Sequence, residues 1–125
     1  MDIEPYKPYF KLSELTCHCG CGLHDMDYDF MQKIISIRLH YGHPMIVTSA
    51  FRCLEHNSTM SQNKLGGPHT QGRAMDFLVY GDRALKLLKV AINHGITGVG
   101  VGQKDPNFNN RFIHLDNLTP RIWSY

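Results

Sequence analysis

The chain has 125 residues, a formal net charge of +2, and is 42% hydrophobic and 19% charged. That length suits one domain, read over residues 1–125, with a real core, and the composition excludes a disordered tail. No Lys/Arg stripe or aromatic-interleaved basic patch points to nucleic acid, and no apolar run approaches the roughly 18 residues of a membrane span.

The N-terminus, Met1-Asp2-Ile3-Glu4-Pro5-Tyr6-Lys7-Pro8, lacks a basic region leading into an apolar one. No signal peptide is therefore expected, and the chain is expected to be made in a cytoplasm. Residues 1–24 read as irregular. They hold three of the four cysteines in the run Cys17-His18-Cys19-Gly20-Cys21-Gly22, with the fourth at Cys53. The spacing is not that of a standard zinc finger. It is compatible with a zinc site that uses some cysteines with His18 or His24, with a disulfide to Cys53, or with free thiols in a reducing cell.

A helix is expected next, capped by Asp25 or Asp27 and stopped by Gly42. Phe30, Ile34, Ile37 and Tyr41 recur on one face, and Met31, Ile35 and Leu39 form a second apolar row. Met45-Ile46-Val47-Thr48 reads as a strand. Residues 53–72 form a long polar segment with room for a short helix, and a loop of that length in a small domain is usually functional. Ala74 to Tyr80 reads as a second strand. A helix over Asp82–His94 follows, with Leu85, Leu88 and Ile92 on its apolar face, Asp82 as cap and Gly95 as stop. Gly98–Val101 and Phe112–Asp116 read as two more strands. The expected fold class is α+β, with helices packed on a small, mostly antiparallel sheet.

The chemistry concentrates in Gly67-Pro68-His69-Thr70-Gln71-Gly72-Arg73-Ala74-Met75-Asp76 and Phe112-Ile113-His114-Leu115-Asp116. Strand alternation puts Asp76 on the face opposite Met75, Phe77 and Val79, and puts His114 and Asp116 together opposite Ile113 and Leu115. His69, Asp76 and His114 then supply two imidazoles and one carboxylate. This is a three-ligand zinc (Zn2+) set that leaves one tetrahedral position open. Taken singly, His69 reads as a surface-loop histidine and His114 as a hydrogen-bonded sheet histidine among the eight in the chain. The joint pattern favours metal.

These stretches resemble the His-x-x-Gly-x-Ala-x-Asp motif and the Phe-Val-His-x-Asp strand of the zinc D-Ala-D-Ala carboxypeptidases and related peptidoglycan endopeptidases, whose fold is that of hedgehog and lysostaphin. Thr48-Ser49-Ala50-Phe51-Arg52-Cys53 resembles the family's Ser-Gly-Tyr-Arg segment. His56-Asn57, Gly66-Gly67 and Arg121-x-Trp123 extend the likeness from about Phe10 to Trp123. The resemblance implies a zinc peptidase acting on peptidoglycan stem or cross-link peptides, next to D-amino acids; a monomer is expected. It would act at the bacterial cell wall in the manner of a phage endolysin or virion-associated enzyme, as an endopeptidase or a D,D-carboxypeptidase.

It also implies that Arg52 faces the metal and binds substrate carboxylate or developing oxyanion. Two positions depart from the pattern: Gly67 stands where Ser is usual, and Arg111 where some branches carry an acidic base. Asp116 is then the expected base, with Asp105 and Glu55 as fallbacks. The other role open to Asp116 is to orient His114 through its second ring nitrogen. The missing acid also motivates a different class of function, a catalytically inactive, zinc-stabilised wall-binding or virion structural module. Trp123 and Tyr125 read as core or C-terminal packing, with Trp123 able to border the site.

Overall fold

The computed structural model describes residues 4–60 and 66–125. Its elements follow from local chemistry. Asp27 accepts a hydrogen bond from the Phe30 N–H at 2.9 Å and so caps helix α2 (Tyr28–Tyr41), which Gly42 ends in the left-handed conformation at φ 73°. A shorter helix, α1 (Leu12–Leu15), and a 3-10 turn at Glu4–Tyr6 precede it, in a stretch whose Pro, Gly and Cys content reads as irregular. Helix α3 (Leu54–Met60) occupies the start of the long polar segment, and helix α4 (Gly81–Asn93) follows the second strand.

The five strands are β1 (Ile46–Ser49), β2 (Ala74–Leu78), β3 (Gly98–Gly102), β4 (Phe112–Asp116) and β5 (Arg121–Ser124). They lie in the order β1-β2-β4-β3-β5. Every neighbouring pair is antiparallel except β3 with β5, which is parallel. The fold is thus α+β with a mostly antiparallel open sheet, as expected. Among the described residues, no helix is long and apolar enough to cross a membrane.

Three local expectations are corrected. Leu39 is exposed, so only Met31 and Ile35 of the second row in α2 are buried. In α4 the buried face is Ala84, Leu87 and Ala91; of the expected face Leu88 packs partly buried against the core, while Leu85 and Ile92 are exposed. Small alanines let this helix sit close to its neighbours; the Tyr41 hydroxyl donates to the Arg83 carbonyl at 3.2 Å, tying the end of α2 to the start of α4. Asp82 does not cap α4: the N-cap is Tyr80, and Asp82 accepts from the adjacent Arg83 N–H. The strand β5, to which the sequence reading assigns no element, forms one edge of the sheet.

The sheet has two faces of opposite character. Met75, Phe77, Val99, Ile113 and Leu115 join Phe30, Ile34, Ile37 and Leu87 in one buried cluster. Burial of side chains of this size contributes about 1.5–3 kcal/mol each. The other face carries Asp76, His114 and Asp116. The split is enforced by period-two alternation, since a one-residue slip would drive two carboxylates into the core.

The cap on α2 gives a direct check on this reading. Asp27→Ala should lower unfolding stability by about 1 kcal/mol, seen as a lower urea midpoint with an unchanged slope. An unshifted midpoint would mean that the Asp27 bond contributes nothing.

Candidate metal centre

Asp76 on β2 pairs directly with His114 on β4. In an antiparallel sheet such partners project to the same side, so the two side chains meet without any loop to position them. His69 reaches them from a 3-10 turn, Pro68–Gln71, that ends at Gly72. Gly72 has φ +67°, and a Cβ there would collide with the Asp25 carbonyl and Met26, so this turn requires glycine. All three side chains are buried, and their ligand atoms lie within 4.8 Å of one another.

The hydrogen bonds constrain what can occupy the centre. His69 Nδ1 lies 2.7 Å from the Ala50 carbonyl. A carbonyl only accepts, so Nδ1 carries the proton, and His69 Nε2 faces Asp76 Oδ1 at 3.3 Å. His114 sits between two carboxylates, with Nδ1 2.9 Å from Asp76 Oδ1 and Nε2 2.7 Å from Asp116 Oδ2. A neutral imidazole has one N–H and cannot donate to both. Two ring nitrogens therefore converge on one carboxylate oxygen in a place where lone pairs repel unless a proton or a cation lies among them. The donor set, two imidazoles and a carboxylate, fits zinc. His69 Nε2, Asp76 and His114 Nδ1 would hold the ion, with the other nitrogen of each ring fixed by Ala50 O and Asp116.

The electrostatics agree. Burial pushes the Asp76 carboxyl up, but hydrogen bonds and charge from His114 and His69 hold it well below the usual carboxylate range. Burial pulls His114 down, yet Asp116 and Asp76 keep it above the ordinary histidine value of 6.5. Asp116 is likewise raised by burial but lowered further by His114 and the Leu118 N–H.

Arg52 lies at the same carboxylate. Its Nη2 is 3.3 Å from Asp76 Oδ2, Nε donates to Ser49 Oγ at 3.1 Å, and Nη1 donates to Asn57 Oδ1 at 3.5 Å. The sequence places Ser49 and Asn57 within the stretches that resemble the family's motif but gives neither a role. A cavity of about 980 Å³ opens over the centre, lined in part by Arg52, His69, Asp76, His114, Trp123 and Tyr125. The indole of Trp123 lies 4.9 Å from the His114 ring.

Asp116 is fully buried behind His114 and does not line the cavity. Asp105 and Glu55 do not line it either. The Asp105 carboxylate accepts from the Asn107 N–H and the Asn110 amide, and Glu55 is exposed in the first turn of α3. Arg111 stacks over the Phe108 ring at 4.3 Å and donates to the Asp105 carbonyl. Among the described residues, Asp76 is the only carboxylate lining the cavity.

A buried His-Asp-His set under an open cleft on an α+β sheet defines a protein able to bind a divalent cation and present it to a ligand of appreciable size. Comparison with known proteins gives the class a family: residues 8–116 match Peptidase M15, and the chain belongs to that family. It is a peptidase by family, and such peptidases are typically metal-dependent. No curated protein matches the chain.

Two outcomes are expected. In metal-free protein the raised His114 contributes stability that is present below 6.5 and lost as pH rises through its folded value. The lowered Asp76 and Asp116 contribute stability that is present above 3.8 and lost on acidification. Chelated protein should therefore melt highest between those pH values, whereas the extra stability given by zinc should vanish on acidification as protons displace the ion. Chelated protein that instead gains stability steadily above 6.5 would contradict the His114 assignment. The second outcome concerns Gly98, where a methyl group would collide with the Asp116 carboxylate. Gly98→Ala, like Asp116→Asn, should weaken zinc affinity about 10–100-fold, read by competition with a zinc-binding dye; unchanged affinity in both would show that Asp116 does not orient His114.

Proposed function

We propose that this chain is a zinc peptidase that hydrolyses peptidoglycan stem or cross-link peptides next to D-amino acids, acting at the bacterial cell wall as phage endolysins do. The observation that carries the reading is the convergence of His69 Nε2 and His114 Nδ1 on one oxygen of Asp76 beneath an open cavity. Family membership supports peptide hydrolysis, and the resemblance of the segments around Arg52 and Arg121-x-Trp123 to the zinc D-Ala-D-Ala carboxypeptidases and related peptidoglycan endopeptidases supports the substrate class.

In this reading His69, Asp76 and His114 hold the ion. When bound, zinc supplies Lewis acidity at the scissile carbonyl and acidifies water. Arg52 uses one N–H each on Ser49, Asn57 and Asp76, which leaves two of the five guanidinium N–H groups for a substrate carboxylate or the oxyanion that develops during hydrolysis. Trp123 offers an apolar wall beside His114. Asp116 acts as a positioning residue: its carboxylate fixes the His114 ring and keeps the lone pair of Nδ1 directed at the ion.

One observation favours a second reading. No carboxylate other than Asp76 faces the cavity among the described residues, so none of them places there a free acid of the kind that carries the proton in some branches. This fits a zinc-stabilised wall-binding or virion structural module without catalysis. Digestion of purified peptidoglycan by zinc-loaded protein separates the two. The peptidase reading expects new amino groups and released peptides, loss of both in His69→Ala, and a roughly 10²–10³-fold lower rate in Arg52→Ala that Arg52→Lys does not restore. Inert wild type with its zinc fully loaded, still bound to the wall, would establish the structural module.

A further inference from the structure

The four cysteines lie outside the centre just described. Cys17, Cys19 and Cys21 come from the loop after α1, and Cys53 follows Arg52. Their sulfurs all fall within 4.8 Å of one another. Cys17 Sγ is 3.5 Å from Cys19 Sγ and 3.8 Å from Cys53 Sγ, and Cys19 and Cys53 are 3.5 Å apart. These are not bonded distances, and no pair is singled out as a disulfide would single one out. They match the edge of a tetrahedron whose centre lies 2.3 Å from each sulfur, about 3.8 Å. No histidine joins the group, so His18 and His24 are not the partners that the sequence left open.

From this geometry we infer a second metal site, in which Cys17, Cys19, Cys21 and Cys53 bind one zinc ion as four thiolates and leave no coordination position for substrate.

The surrounding backbone is arranged for anionic sulfur. The Cys53 N–H donates to Cys17 Sγ and the His56 N–H to Cys53 Sγ, both at 3.4 Å. Donors of this kind stabilise a thiolate more than a thiol. The loop is closed by the Cys17 N–H on the Leu23 carbonyl at 2.8 Å. Gly20, at φ +90°, turns the chain between Cys19 and Cys21 so that alternate residues can face one point. A set of four sulfurs in tetrahedral array suits zinc. On binding, four S–H protons leave to solvent as four S–Zn bonds form, with no change of oxidation state.

The location gives the ion a structural task. Cys53 adjoins Arg52, whose backbone N–H donates to the His69 carbonyl at 3.2 Å, and Ala50 in the same segment fixes His69 Nδ1. Zinc on the cysteines would clamp the N-terminal loop to the segment that orients both Arg52 and His69.

The test is metal content, measured by plasma mass spectrometry on purified, desalted protein. Wild type should hold two zinc ions per chain. His69→Ala should hold one, with all four thiols shielded from a thiol reagent until a strong chelator is added. The double variant Cys19→Ser/Cys21→Ser, which alters only exposed cysteines, should lose one ion and keep the other. Should that variant fail to fold, cobalt(II)-substituted wild type still decides: thiolate ligation gives intense sulfur-to-cobalt charge-transfer bands in the near ultraviolet. Four thiols that react at once, an intact mass short of two or four hydrogens, or cobalt protein without those bands would overturn the site. The thiol-shielding, intact-mass and cobalt readouts do not depend on whether the His69 centre is loaded or active.

Discussion

A single carboxylate oxygen, Asp76 Oδ1, sets the terms for this molecule. It is buried and has an imidazole nitrogen on either side, at 3.3 Å and 2.9 Å, with a guanidinium against the second oxygen. A charge placed there is costly unless every lone pair has a partner. Much of the fold reads as a means of supplying partners. β4 brings His114 by direct pairing, the turn before β2 brings His69, and the segment after β1 brings Arg52. The same crowding that makes the centre unfavourable when empty of charge compensation makes it a good receptor for a small divalent cation.

The floor of the centre depends on strand β3, Gly98-Val99-Gly100-Val101-Gly102. Val99 faces the core, and the glycines face the site. Each glycine leaves space that a neighbour fills: the Asp116 carboxylate at Gly98, the Trp123 and Tyr125 rings at Gly100, and the Phe112 ring at Gly102. Asp116 can therefore lie flat under His114, and Trp123 can lie against its ring, because β3 has no side chains on that face. The repeat is a steric device that couples an edge strand to the orientation of His114 in the candidate metal group.

Asp76 and His114 of the candidate metal group are legible in the sequence because they sit on strands with strong periodicity. Alternation along Ala74–Asp76 and Phe112–Asp116 already separates polar from apolar faces, and a loop histidine at motif spacing completes the set. The α+β class followed from the same patterns. On α4 the leucines support two neighbouring rows of helical spacing; the row through Leu85, Leu88 and Ile92 contributes only Leu88 to the core, and packing selects the row of Ala84, Leu87 and Ala91. Strand β5 escaped because it is a short edge strand, mostly exposed, whose partner is distant in the chain. The sequence does not assign Ser49 and Asn57 to Arg52, because one contact depends on how the chain turns after β1 and the other on how α3 folds back. The cysteines were ambiguous for the same reason: spacing within Cys17–Cys21 says nothing of where Cys53 arrives.

The centre itself is tested most directly by crystals of zinc-loaded protein measured at the zinc absorption edge. The expected result is an anomalous peak about 2.0–2.2 Å from His69 Nε2, His114 Nδ1 and an Asp76 oxygen, with Asp116 still bonded to the far nitrogen of His114. Zinc-loaded crystals with no peak between those three side chains would contradict it.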